Sequence, residues 1–221
     1  MFDLWRRVAA ALWMVLCLAA QAAPGAADAL PLALPLTVSQ DVRATARWVL
    51  RRADHRGQPF AIVDKSDAQI YVFEATGVLV GSSPVLLGLA PGDRDAVPQM
   101  GDRTPASLAP SERTTPAGRF DSEPGRNLKG EAIVWIDYDA ALAIHRLRPA
   151  PEYEQRPQRM ASINPLDRRI TFGCVVVPEA FFDGVIAPTL GSRRGVVYVL
   201  PEERRSRALL QAADAPPPAV D

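Results

Sequence analysis

From Pro59 onward, the hydrophobic residues of this 221-residue chain come in short runs. Phe60-Ala61-Ile62-Val63 and Gln69-Ile70-Tyr71-Val72-Phe73 are rich in β-branched and aromatic side chains, and turn residues separate them. Similar runs recur at 78–80, 84–87, 133–136, 141–144, 171–177 and 196–200. Such runs are too short for amphipathic helices of ordinary length, so the sequence predicts a mainly β fold with one or two short helices.

Two segments carry helical signals instead. Thr37 or Ser39 can cap a helix that runs to about Ala53, because its apolar residues recur at helical spacing. Pro178 suits the first position of a second, short helix over Glu179 to Ile186.

The first 22 residues are typical of a signal peptide. Arg6 and Arg7 precede an apolar run of 13 residues, and Ala20-Gln21-Ala22 provides small residues for cleavage. The run is shorter than the ~20 residues that span a bilayer. We therefore expect a periplasmic or secreted protein without stable membrane insertion after processing, with a retained N-terminal anchor as the alternative.

The remaining chain divides into three parts. Residues 23–57 are expected to form a linker and the N-terminal helix, 58–202 the folded domain, and 203–221 a disordered tail rich in Ala and Pro. The long connections 89–119 and 146–169 are of a length that is usually functional or mobile. With 25 basic and 25 acidic residues, the chain lacks the charge excess that nucleic-acid binding requires.

Removal of the signal peptide leaves one cysteine, Cys174, which then has no internal disulfide partner. It is either an inert buried thiol or a reactive one. A reactive thiol needs a base, and His145 ends another apolar run 29 residues upstream. His55 lies in a turn-like segment and is expected at the surface. The spacing of these residues favours neither a metal site nor a cofactor.

Three motifs occur in a fixed order. Thr115-Pro116-Ala117-Gly118-Arg119-Phe120 is followed by Ile144-His145 and then by Thr171-Phe172-Gly173-Cys174. With the opening hairpin, this order resembles the L,D-transpeptidase catalytic domain family (YkuD-like) over roughly residues 58–200. The resemblance implies a sandwich-like β fold whose groove joins the cysteine and the histidine.

The resemblance also implies an activity. Cys174 would attack a peptidoglycan tetrapeptide stem, release D-Ala and form a thioester, with His145 as the base and the backbone carbonyl of Arg146 orienting its ring. Backbone amides at Phe172 and Gly173, together with that of Cys174, would stabilise the oxyanion. The acceptor stays open: a second stem (a 3-3 cross-link), a cell-wall-anchored protein, or water, as in an L,D-carboxypeptidase. Each role belongs to cell wall biogenesis and cell shape.

The chain departs from the family pattern at three positions. Phe172 stands where the family has a polar residue, and Arg146 stands where it has a small one. Val176 stands two residues after the cysteine, where the family normally has Arg or Asn. Arg146 is expected to supply the missing charge, and the substrate-binding set becomes Arg146, Thr171 and Val176. Other arginines of the 146–169 connection either meet acidic stem peptides or are solvated. The departures favour an alternative function, a weak or inactive wall-peptide-binding or protein-interaction module.

Overall fold

Residues 34–94 and 103–203 are described by the computed structural model. They lie in one unit, which begins at Leu32. The predicted signal peptide and the tail beyond Glu203 lie outside the described residues. Among the residues that are described, no helix is long and apolar enough to cross a membrane.

Ten strands and three helices make up the described ranges. In chain order they are α1 (Gln40–Arg52), β1 (Phe60–Asp64), β2 (Gln69–Phe73), β3 (Leu79–Pro84), β4 (Leu87–Gly88), β5 (Gly118–Arg126), β6 (Ala132–Asp137), β7 (Leu142–Arg146), α2 (Arg156–Ala161), β8 (Arg169–Thr171), β9 (Val175–Val177), α3 (Glu179–Phe181) and β10 (Gly195–Val199). A π-helical turn over Phe182–Ile186 continues α3.

Eight of the strands form one mixed sheet in the order β3-β2-β1-β10-β5-β6-β7-β9, and β4 pairs with β8 separately. The strand β5 joins the two halves of the large sheet. Its first residues, Gly118–Ser122, pair with β10, and Glu123–Arg126 pair with β6. At the far end, β7 and β9 run parallel.

Hydrophobic side chains fill both sides of the first half of the sheet. One cluster brings Val42, Ala46 and Val49 of α1 against Phe60 and its neighbours. Ser39 caps this helix by accepting a hydrogen bond from the backbone N–H of Val42. The larger cluster, which includes Ile144, Val175 and Val177, lies on one face of β7 and β9. On the opposite face of these two strands, Val176 packs in a smaller cluster with Leu86 and Met160.

The mainly β fold class is confirmed, with three helices in the described ranges instead of one or two. The expected helix after Pro178 is present as α3 and its π-helical turn. Two expectations are corrected. The apolar run 171–177 is not one strand, because it breaks between β8 and β9, and Cys174 lies in that break. The connection 146–169 contains the helix α2, which the sequence did not predict.

Candidate active site

The imidazole of His145 belongs to β7, and the thiol of Cys174 belongs to the residue that leads into the neighbouring parallel strand β9. His145 of β7 lies opposite Val176 of β9, and Cys174 is the residue just before β9 begins. Residues two apart in a strand share a face, so β9 continued back by one residue places Cys174 on the side of the sheet that holds Val176 and His145. The Sγ atom of Cys174 lies 3.5 Å from the carbonyl oxygen of Ala141, the residue just before β7 begins.

His145 has a defined tautomer and orientation. Its Nδ1 atom lies 2.8 Å from the carbonyl oxygen of Arg146. A carbonyl oxygen can only accept, so Nδ1 carries the hydrogen and Nε2 of the neutral ring is left as the acceptor. The expectation that the Arg146 carbonyl orients this ring is confirmed.

Burial keeps both groups neutral. It lowers the pKa of His145 to about 4, an effect to which the positive charges of Arg148 and Arg156 add. Burial also raises the pKa of the Cys174 thiol, although the backbone N–H of Ala143 and the charge of Arg148 act in the opposite direction. At neutral pH the imidazole is thus a free base and the thiol keeps its proton.

Cys174 follows a turn that requires glycine. Gly173 has a φ of +136°, and a Cβ atom there would lie 2.7 Å from the carbonyl oxygen of Thr114. The hydroxyl of Thr171 closes the turn by accepting from the N–H of Gly173 at 3.1 Å and donating to the carbonyl of Cys174 at 2.8 Å. Of the amides expected at an oxyanion, that of Gly173 is therefore engaged by Thr171. The N–H of Cys174 itself lies against the thiol, where it favours the thiolate.

A second threonine supports the turn from behind. Thr115 is fully buried, and its hydroxyl donates to the carbonyl of Gly173 at 2.7 Å while it accepts from the N–H of Gly88 at 2.9 Å. The sequence placed Thr115 in a motif but gave no sign of this role. The hydroxyl thus connects β4 with the turn over residues 171–174, which we name the nucleophile turn after the role expected of Cys174. Thr115 itself lies in the segment that leads into β5.

Lys65 holds Thr115 in turn. Its fully buried Nζ donates to the carbonyl oxygen of Thr115 at 2.9 Å and to Asp93 at 2.9 Å. Glu202 lies 3.6 Å from the same Nζ and also pairs with Arg169. The sequence predicted only a turn around Lys65, because the partners of a buried lysine that are distant in the chain leave no local pattern.

The three residues expected to bind substrate have other contacts here. Arg146 pairs with Asp183 at 2.9 Å through Nε, and its guanidinium lies 4.1 Å above the ring of Phe182. Thr171 closes the nucleophile turn, and Val176 is buried in a small apolar cluster with Leu86 and Met160. Substrate binding at these positions stays a prediction, and the observed contacts are structural ones.

The arginines of the 146–169 connection mostly hold that segment in place. Arg168 donates to the carbonyl of Ala68 at 3.1 Å, and Arg159 to that of Asp167 at 2.9 Å. Arg148 pairs with Glu131 at 2.9 Å while its charge acts on both Cys174 and His145.

His55, which was expected at the surface, is buried, and its Nε2 lies 2.9 Å from the carbonyl of Ala75. Across the described ranges, no group of three or more His, Cys, Asp or Glu residues is placed to hold a metal ion.

The fold and site thus define a mainly β domain with a cysteine and a histidine on one sheet face. No family model and no curated protein matches the chain. Among solved structures, it is similar to a mutant L,D-transpeptidase from Enterococcus faecium, at 16% identity and a TM-score of 0.38, over 64% of this chain and 49% of that one. It is also similar to the helical cell shape determining protein Pgp2 from Campylobacter jejuni, at 14% identity and a TM-score of 0.42, over 76% of this chain and 60% of that one. A third similar structure is an L,D-transpeptidase from Mycobacterium smegmatis, at 12% identity and a TM-score of 0.36, over 64% of this chain and 58% of that one.

The chain spans about half the length of the Enterococcus faecium enzyme. These similarities concern the fold, which is similar to that of L,D-transpeptidase catalytic domains, the family that the sequence motifs resemble.

Proposed function

We propose that the protein is an exported cysteine acyltransferase that acts on peptidoglycan tetrapeptide stems in the periplasm or outside the cell. The observation that carries the proposal is the arrangement of Cys174 and His145 on one sheet face, with the Nε2 of His145 left as a proton acceptor. A nucleophile and a base so placed are what acyl transfer requires.

In the proposed reaction, both groups start in their neutral forms. Since the thiol keeps its proton at neutral pH, the Nε2 of His145 takes that proton as Sγ attacks the carbonyl carbon of the donor. The carbon–sulfur bond forms, the bond to the D-Ala nitrogen breaks, and the imidazolium returns the proton to the leaving amine. Because Thr171 engages the N–H of Gly173, we assign the stabilisation of the oxyanion to the backbone N–H of Cys174.

An amine or water then resolves the thioester. The Nε2 of His145 removes a proton from the incoming group, and the thiolate leaves and is reprotonated. An amine of a neighbouring stem gives a cross-link, an amine of a wall protein anchors that protein, and water gives a tripeptide. No cofactor takes part in these steps.

The test is analysis of products by mass spectrometry. The purified mature protein is incubated with a disaccharide-tetrapeptide, beside a Cys174→Ala variant as the matched control. We expect loss of D-Ala with the parent protein and none with the variant. Cross-linked product would identify a transpeptidase, and tripeptide alone a carboxypeptidase.

A second candidate function is a binding module for wall peptides or for a protein partner. It is favoured by the apolar Phe172 and Val176 beside the nucleophile and by the raised pKa of the Cys174 thiol. Under this hypothesis, a folded protein would bind the tetrapeptide without turnover, and Cys174→Ala would leave the affinity unchanged.

A further inference from the structure

Arg113 lies beside the nucleophile turn, and its side chain makes one hydrogen bond and one ring contact within the described residues. Its Cζ atom lies 4.7 Å from the centre of the Phe172 ring, and Nε donates to the carbonyl of Leu108 at 3.0 Å. In the described residues, neither terminal nitrogen of Arg113 has a hydrogen-bond acceptor, and no carboxylate pairs with it. The stacking and the bond from Nε orient the guanidinium, and its two terminal nitrogens have no partner within the described ranges.

Other arginines in this part of the molecule are paired with carboxylates. Arg146 pairs with Asp183, Arg148 with Glu131, and Arg169 with Glu202. The acidic neighbour of Arg113 in the chain, Glu112, pairs with Arg103 at 2.8 Å instead. Arg113 therefore contributes a positive charge that no side chain among the described residues offsets at close range.

The backbone around Arg113 is fixed against the nucleophile turn. Its carbonyl accepts from the N–H of Ala90 at 3.0 Å, and the next residue, Thr114, has its carbonyl packed on Gly173. Phe172, which supports the guanidinium, directly precedes Gly173-Cys174 and keeps 37% of its surface exposed. The charge is thus held over the partly exposed ring of Phe172, two residues before Cys174 in the chain.

We propose that Arg113 is a specificity-determining residue that binds a carboxylate of the acyl-donor peptide. This inference rests on the proposed function, since a tetrapeptide donor carries free carboxylates close to the scissile bond. A guanidinium pairs with a carboxylate through two parallel hydrogen bonds, and Arg113 has two terminal nitrogens that no described residue engages. Phe172 replaces a polar residue of the family, and its role here is to hold Arg113 in position through the cation–π contact.

The test measures donor binding and turnover separately. Binding of disaccharide-tetrapeptide is measured by calorimetry on Cys174→Ala protein, with and without Arg113→Gln, and KM and kcat are measured with Cys174 intact. We expect Arg113→Gln to raise Kd and KM about tenfold or more, with kcat changed less, because charged hydrogen bonds are the strong ones. Arg113→Lys should recover part of the affinity, and Phe172→Leu should lose about two- to fivefold.

The matched control is Arg126→Gln, which removes an exposed arginine that bonds the carbonyl of Gly130. Donors amidated either at the terminal D-Ala or at the side-chain carboxylate of the third residue identify the carboxylate. When the carboxylate that Arg113 binds is amidated, the parent protein should bind the donor as weakly as Arg113→Gln binds the unmodified donor. Arg113→Gln should then cause no further loss of affinity for the amidated donor.

The outcomes separate this inference from the proposed function. If the parent turns over the donor while Arg113→Gln, folded as judged by circular dichroism, keeps the same Kd and KM, the role of Arg113 is refuted alone. An equal loss in Arg126→Gln would refute it too, since the effect would be one of net charge. Absence of both binding and turnover by the parent would overturn both proposals.

Discussion

Replacing Thr115 by valine should test how the nucleophile turn is held. The substitution keeps the branched shape but removes the hydroxyl that joins the N–H of Gly88 to the carbonyl of Gly173. A buried polar group left without a partner costs about 1–3 kcal/mol, so two of them cost about 2–6 kcal/mol. A carbonyl has a second lone pair and relaxes more easily than an N–H, so we expect the free energy of unfolding to fall by about 2–4 kcal/mol.

The assay combines urea denaturation with the rate at which iodoacetamide alkylates Cys174 in the native protein. Thr115→Ser is the control, because it keeps the hydroxyl and loses one buried methyl group, at about 1 kcal/mol. We expect Thr115→Val to be the less stable variant and to change the alkylation rate, whereas Thr115→Ser keeps the parent rate. Equal stabilities and equal rates for the two variants would refute the role assigned to the hydroxyl.

Three further predictions concern charge. The free energy of unfolding should fall as the pH drops from about 6.5 to about 4, because the unfolded chain protonates His145 before the folded one does; a His145→Gln variant that shows the same slope would contradict this. Alkylation of Cys174 by iodoacetamide should keep accelerating above pH 8.5, because burial raises the pKa of its thiol; a plateau at neutral pH would indicate a preformed thiolate. Lys65→Met should destabilise the protein by about 3–5 kcal/mol in urea denaturation, because it leaves Asp93 without its lysine; Lys129→Met at the exposed Lys129 is the control.

The fold could be predicted from the sequence where burial gave the strands an apolar pattern. The strands β1, β2, β6 and β10 coincide closely with the predicted runs, since their side chains are largely buried. The strand β5 could not be predicted, because most of its residues are solvated and its sequence includes Pro124. Backbone pairing with two neighbours maintains β5, and backbone pairing leaves no trace in side-chain polarity.

The candidate site divides in the same way. Cys174 and His145 stand out because their chemistry is rare in this chain, and glycine before the cysteine indicates the turn that the structure contains. The contacts of Thr115 and Lys65 join residues 58 and 50 positions apart, and no local pattern carries such information. Phe172 was interpreted as a loss of polarity, although its ring now supports the charge of Arg113.

The packing of β7 and β9 bears on how a neutral pair would act in the proposed acyl transfer. On the core face, Ile144, Val175 and Val177 are fully buried in the large cluster, which fixes the two strands relative to each other. On the opposite face, the Arg146 carbonyl orients the ring of His145, and the thiol of Cys174 contacts the Ala141 carbonyl. Burial on that face raises the pKa of the thiol, so the thiol ionises less readily. It also lowers the pKa of the imidazole, which therefore stays unprotonated at neutral pH. Under the proposed function, ionisation of the thiol accompanies attack on the donor, and the Nε2 of His145 takes the proton in the first chemical step.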